Sequence, residues 1–213
     1  METIILGAGG HGRVVLDILL AGDQYKPVAF IDNNPSLHGR RVDGLPVLGD
    51  VSQLLDLRKR NIRKAIVAIG DNGARRGAGV VLERAGFDVI SAIHPSARLA
   101  GSASIGKGAV VAAGALVCAH AQIGDYVILN TGCIVDHESM IGTSAHICPG
   151  VKLAGHVTVE SGAFVGISDG DSGSSHRIRR DCGRRGRGHT RCRSDDIRGW
   201  RTGAGDQEFA IGR

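Results

Sequence analysis

Residues 99–166 read LAGSAS IGKGAV VAAGAL VCAHAQ IGDYVI LNTGCI VDHESM IGTSAH ICPGVK LAGHVT VESGAF VG. Every block of six opens on an aliphatic residue: Leu99, Ile105, Val111, Val117, Ile123, Leu129, Val135, Ile141, Ile147, Leu153, Val159 and finally Val165. Two positions before each stands a small or β-branched residue, as at Ala97, Ala115, Cys133, Ala145 and Ala163. An α-helix repeats every 3.6 residues and an amphipathic strand every two, so neither produces a period of six. A six-residue period with one inward aliphatic per unit is that of a hexapeptide parallel β-helix. A single coil cannot bury its inner face, so the coils stack and share one core.

The pattern resembles the left-handed β-helix of hexapeptide-repeat acyltransferases, in which three hexads close one triangular coil. The expected fold is therefore α/β plus β: a small Rossmann-like domain over residues 1–94, then a left-handed parallel β-helix over 95–167. His94-Pro95 marks the boundary, because proline stops the preceding strand. The scarcity of aromatic residues, 3% of the chain, suits an aliphatic β-helix core. Cys118, Cys133 and Cys148 form no CxxC pair and read as small packing residues in a reducing compartment. No apolar run reaches the length of a membrane span. The opening METIILGAGG lacks the basic and apolar regions of a signal peptide, so the expected location is the cytoplasm, with no membrane partner.

The first domain opens with a short apolar run, Thr3 to Leu6, that feeds into Gly7-Ala8-Gly9-Gly10-His11-Gly12. The apolar helical pattern Val14, Val15, Ile18, Leu19 follows, and then a strand from Val28 to Ile31 ending at Asp32. Gly7, Gly9 and Gly12 fit G-x-G-x-x-G, in which glycines let the backbone approach a diphosphate at a helix N-terminus. The spacing alone would suggest NAD, but a dinucleotide domain needs two βαβαβ halves. Here there is room for one, with a strand at Ala65–Ile69, a helix near Arg75–Ala85 and a strand at Asp88–Ile93. A half-size unit suits a mononucleotide or a nucleotide sugar. A tight turn without a ligand is the plainer alternative.

Inside the repeat, Asp136-His137-Glu138 interrupts a run of small residues. A carboxylate beside a histidine orients the ring and favours its uptake of a proton, as a general base requires. Positions eighteen apart stack on successive coils. His137 is thus expected over Gly155, where the absent side chain leaves space and an accessible N–H, and Glu138 between His120 and His156. A solvated polar turn is the alternative. No metal site is expected, because the chain spacing of His120, His137, His146 and His156 spreads them around the coil.

Together GAGGHG at 7–12, IDNN at 31–34, AIGDN at 68–72 and NTGCIVDHE at 130–138, with His146 nine residues past His137, resemble the PglD/NeuD family of sugar acetyltransferases. The resemblance covers residues 1–167. It implies a homotrimer with active sites between subunits and acetyl-CoA as co-substrate. It also implies acetyl transfer to the amino group of a nucleotide-linked amino sugar, or to a sugar hydroxyl as in sialic acid O-acetylation. A non-catalytic nucleotide-sugar binding module is the alternative of another class. By the resemblance His137 is the catalytic base and Glu138 its supporting acid. His146 contacts the thioester end of acetyl-CoA, the Gly155 N–H holds the oxyanion and the Ile167 backbone contacts the CoA arm. Gly9, Gly10 and His11 contact diphosphate and sugar, and Asp32, Asn33 and Gly70 the nucleoside. The base, UDP or GDP, and the sugar are left open.

After Ile167 the period vanishes. Residues 168–213 hold eleven Arg against seven Asp and Glu, and no Val, Leu or Lys, so they carry +4 of the net charge of +5. A disordered basic tail and a nucleic-acid-binding arm are two readings of this composition. A third is a shifted reading frame. Back-translation of Ser168 to Gly173, read one base later, permits Ala-Thr-Val-Ile-Pro-Gly, the hexad the repeat calls for. The same shift restores hexads through to a stop codon. On that reading the tail is an unstructured, out-of-frame product, no nucleic-acid partner exists, and the chain as written is poorly soluble or inactive.

Overall fold

The computed structural model describes residues 1–166 and, beyond them, only the strands Ile178–Cys182 and Thr190–Arg191. Its first half runs β1 (Glu2–Leu6), α1 (Gly10–Ala21), β2 (Lys26–Ile31), the hairpin β3 (Arg41–Val42) and β4 (Leu45–Pro46), α2 (Leu54–Lys59), β5 (Lys64–Val67), α3 (Asn72–Arg84) and β6 (Asp88–Val89). The parallel sheet has the order β2-β1-β5-β6. β1 is buried from Thr3 to Leu6 and apolar from Ile4 to Leu6, because both its faces are covered. One face, with Ile5, Phe30 and Ile66, packs on Val15, Ile18 and Leu19 of α1. The other, with Ile4, Ile31 and Val67, packs on Leu54, Leu57 and Leu82 of α2 and α3. This is the Rossmann-like half-unit read from the sequence.

The second half is a parallel β-helix with three faces. One stacks Ala92–Ile93, Val110–Val111, Ile128–Leu129, His146–Ile147 and Phe164–Val165. The next stacks Arg98–Leu99, Leu116–Val117, Ile134–Val135 and Lys152–Leu153. The third stacks Ser104–Ile105, Gln122–Ile123, Met140–Ile141 and Val157–Val159. Partners in these parallel pairs are eighteen residues apart, as in Val117↔Val135 and Ile123↔Ile141. The inward aliphatics and the small residues two before them form one continuous core.

The boundary between the two halves differs from the expectation. Asp88–Ile93 is not one strand: Asp88–Val89 closes the α/β sheet and Ala92–Ile93 begins the first face of the β-helix. The reason is visible in phase. Ile93 stands six residues before Leu99 and pairs in register with the inward Val111, although at the open end of the coil it stays exposed.

The corners of the coil carry a second six-residue period. Gly108, Gly114, His120, Tyr126, Gly132, Glu138, Ser144, Gly150, His156 and Gly162 all have φ between 55° and 71°. This left-handed conformation favours glycine and costs other residues on the order of 1–2 kcal/mol. The corner of Gly114, Gly132 and Gly150 meets that preference. The other two corners depart from it: Tyr126 and Ser144 where the domains meet, and His120, Glu138 and His156 at the candidate site.

α1 lies between the sheet and the β-helix, against the outward side chains Ala92, Val110 and Ile128. Arg75 of α3, fully buried, ties the two halves. Its Nε donates to the Tyr126 carbonyl (2.8 Å) and its Nη2 to the Ser144 carbonyl (2.8 Å), both on the β-helix. Its Nη1 donates to the carbonyls of Ile69 (3.1 Å) and Gly70 (2.8 Å) on the α/β side. Burial lowers its pKa to about 10, opposed by Asp71.

Ile178–Cys182 pairs antiparallel with the open edge of Val157–Val159, and with Thr190–Arg191. Apart from these two strands, the reading of 168–213 as an unstructured, frame-shifted tail lies outside the described residues, as does Ile167. Among the described residues no helix is long and apolar enough to cross a membrane.

Candidate active site

His137 leaves the Ile134–Val135 strand into the corner between two faces. Its N–H donates to Asp136 Oδ1 (2.7 Å), and that bond holds the Asp136 carboxyl below its usual range. The ring stands half exposed, with Nδ1 3.3 Å from Glu138 Oε2. A carboxylate accepts, so Nδ1 is the donor, and in the neutral ring that tautomer leaves the lone pair on Nε2. The register places the ring over Gly155, as the eighteen-residue spacing implied. A Cβ at 155 would lie 2.5 Å from both Cε1 and Nε2 of His137, so the ring fits only above a glycine. The Gly155 N–H donates no hydrogen bond among the described residues. The ring nitrogen Nε2 thus lies against Gly155, a residue whose N–H is unpaired among the described residues.

Glu138 does not bridge His120 and His156 symmetrically. Its Oε2 lies 3.0 Å from His156 Nε2, whereas no ion pair joins it to His120 among the described residues. The rings of His137 and His156 meet edge to face at 5.1 Å. The His120 N–H donates instead to Ser102 Oγ (3.1 Å).

His146 lies elsewhere. It points outward from the face that carries the α/β domain, separated from His137 along the chain by the whole Met140–Ile141 strand. Asn130 Nδ2 donates to its Nε2 (3.2 Å), which leaves the proton on a buried Nδ1 that nears the Gly70 backbone without a hydrogen bond of full geometry. Phe164 packs on its ring at 4.9 Å. Burial, then Arg75 and His11, push its pKa down to about 4, with the Gly70 backbone pulling the other way. Burial and Arg75 push His11 to about 4 as well. The Nε2 of His11 is buried and unpartnered among the described residues. His11, Gly70 and His146 therefore converge from two domains on one wall of neutral, hydrogen-bonding groups.

In the α/β loop, Gly7 and Gly12 are pressed against backbone, whereas Gly9, Gly10 and Gly70 face open space. The packing of the protein itself does not require glycine at those three positions, and the open space leaves room for a ligand to approach the backbone. α1 starts at Gly9 without a side-chain cap or an acidic first turn, so its N–H groups are available to an anion. Asp32 is partly committed: its Oδ2 accepts from the Ala8 N–H (2.7 Å) and its Oδ1 from the Asn34 N–H (2.8 Å). Asn33 beside it is exposed. Burial pushes the thiols of Cys133 and Cys148 up to about 12 and about 11, which fits packing residues.

Comparison with known proteins bears on both halves. Residues 2–78 match the PglD N-terminal domain family. A structure of PerB from Caulobacter crescentus in complex with CoA and GDP-perosamine is 33% identical, with a TM-score of 0.63 over 78% of this chain and 89% of that one. The chain belongs to the PglD family of sugar acetyltransferases. GDP-perosamine N-acetyltransferase of Escherichia coli O157:H7 is 29% identical over 169 residues, 76% of this chain and 74% of that protein. The acetyltransferase domain of PglB from Neisseria gonorrhoeae is 30% identical, with a TM-score of 0.61 over 79% of this chain and 94% of that one. As a PglD-family protein the chain is an acetyltransferase.

Sequence reasoning missed Arg75, although it braces Gly70 and the strand turn before His146. Its only signal was an arginine one helical turn after the Asp71 N-cap, which looks like any surface residue of a helix.

Proposed function

We propose that this protein transfers the acetyl group of acetyl-CoA directly to the amino group of a nucleotide-linked amino sugar, with His137 as general base. The observation that carries the reading is the seat of His137 on Gly155, with Glu138 against its Nδ1 and the Gly155 N–H unpaired among the described residues. The sugar amine attacks the thioester carbonyl, forming the N–C bond while His137 Nε2 takes the amine proton. The developing oxyanion is held by the Gly155 N–H. The C–S bond then breaks and CoA leaves as a thiolate that recovers a proton. His146 is assigned to the thioester end of acetyl-CoA and Ile167 to the CoA arm. Gly9, Gly10, His11, Asp32, Asn33 and Gly70 are assigned to the nucleotide sugar.

PerB crystallised with CoA and GDP-perosamine, and single-histidine variants of that enzyme were crystallised with the same ligands; both support the assignment. His137 at a corner and His146 on a face stand apart on one coil, which supports a homotrimer in which neighbouring subunits complete each site. A left-handed coil and a cytoplasmic location belong to the same reading. The chemistry requires no metal.

The test is His137→Ala assayed with a panel of GDP- and UDP-linked amino sugars. General-base loss is expected to lower kcat by roughly 10²–10⁴-fold, with binding of the nucleotide sugar retained. Full turnover by the variant would exclude His137 as the base.

A further inference from the structure

We propose that His137 Nδ1, Glu138 Oε2 and His156 Nε2 form a site for a divalent cation of the zinc class, and that its occupancy switches acetyl transfer off. The second half rests on the acetyltransferase reading above; the first half does not.

Two imidazoles and one carboxylate are a donor set that suits zinc. Zinc bonds of about 2.0–2.1 Å in a tetrahedron set neighbouring ligand atoms about 3.3 Å apart. Here the separations from Glu138 Oε2 are 3.3 Å to His137 Nδ1 and 3.0 Å to His156 Nε2. All three donor atoms lie within 4.8 Å of one another. The backbone fixes this triad. The Glu138 N–H donates to the Ala119 carbonyl (2.9 Å) and the His156 N–H to the His137 carbonyl (2.9 Å). His156 also needs an explanation of its own. It is 58% exposed in its side chain, adds nothing to the core and sits at φ 57°, where the neighbouring corner uses Gly114, Gly132 and Gly150. Neither the turn nor the packing calls for a histidine there.

The consequence follows from the tautomer. With Glu138 on Nδ1–H, Nε2 is the free base. A cation on Nδ1 displaces that proton, and a neutral imidazole coordinated at Nδ1 keeps its remaining proton on Nε2. The nitrogen that must accept the amine proton is then already protonated. Glu138 is withdrawn from its supporting role by the same ion.

The test is calorimetric titration of zinc chloride into the reduced, full chain expressed from the resequenced gene, beside His156→Asn and His120→Asn. Asparagine tolerates the left-handed corner, so both variants are expected to fold. The expected result is one site in the parent, weakened by about tenfold or more in His156→Asn and unchanged in His120→Asn. Zinc should inhibit acetyl transfer by the parent, a chelator should reverse the inhibition, and His156→Asn should resist it. No zinc binding, or equal binding by His156→Asn, would overturn the site. Binding without inhibition would overturn the switch. A zinc-free chain with no transfer activity would reject the acetyltransferase reading and with it the switch, while the titration would still decide the site.

Discussion

Gly155 is the residue on which the site turns, because its missing side chain both seats the base and exposes a donor. Gly155→Ala would push a methyl into the His137 ring, 2.5 Å from Nε2. Displacing a catalytic group by about 1 Å costs on the order of 10²-fold in rate. The expected outcome is a loss of kcat near that size with an unchanged Tm, since the position lies on a partly exposed turn. A drop in Tm with kcat intact would mean that Gly155 serves the fold alone. The buried histidines make a second prediction. His11 and His146 fall from 6.5 to about 4 in the folded chain, so the unfolded chain binds more protons between those values. Stability is therefore complete above about pH 6.5 and lost as pH falls towards 4, by up to roughly 3 kcal/mol for each. Urea titrations at pH 7 and pH 5 check this: His146→Asn should flatten the dependence, and equal stability of the parent at both values would contradict it.

At the scale of elements, Arg75 makes one body of two domains. Arg75→Met would leave the carbonyls of Tyr126, Ser144 and Gly70 without their donor. Unsatisfied buried groups cost about 1–3 kcal/mol each. The variant is expected to lose at least about 2 kcal/mol in chemical denaturation, from the buried Tyr126 and Ser144 carbonyls, and retention of full stability would show that apolar packing around α1 suffices. Which elements could be read from the sequence follows from how each is specified. The β-helix was legible because its core demands one aliphatic per hexad, and the same phase gave the stacking of His137 on Gly155. The α/β half was legible in its apolar runs and glycine loop. What escaped was non-periodic or shared between elements. Ala92–Ile93 was hidden because an apolar run continues through the domain boundary. The left-handed corners were hidden because half of them are not glycine. The approach of His156 to Glu138 followed from register, whereas its preference over His120 depends on side-chain direction.

At the scale of the molecule, the repeat stops at Val165 while the chain runs on to Arg213. A parallel β-helix that ends abruptly exposes strand edges and core, and the pairing of Ile178–Cys182 with Val157–Val159 occupies one such edge. Resequencing the gene across codons 160–213 is expected to find a base gained or lost near codon 167. An intact frame would mean that other residues replace the coils assigned to CoA. The most direct test of the central claim is mass spectrometry of a GDP-linked 4-amino sugar incubated with acetyl-CoA and the protein expressed from the resequenced gene. The account predicts a gain of one acetyl group on the sugar nitrogen with release of one CoA, lost in His137→Ala. CoA released without acetylated sugar across the GDP and UDP panel, or acetylation that survives His137→Ala, would contradict it.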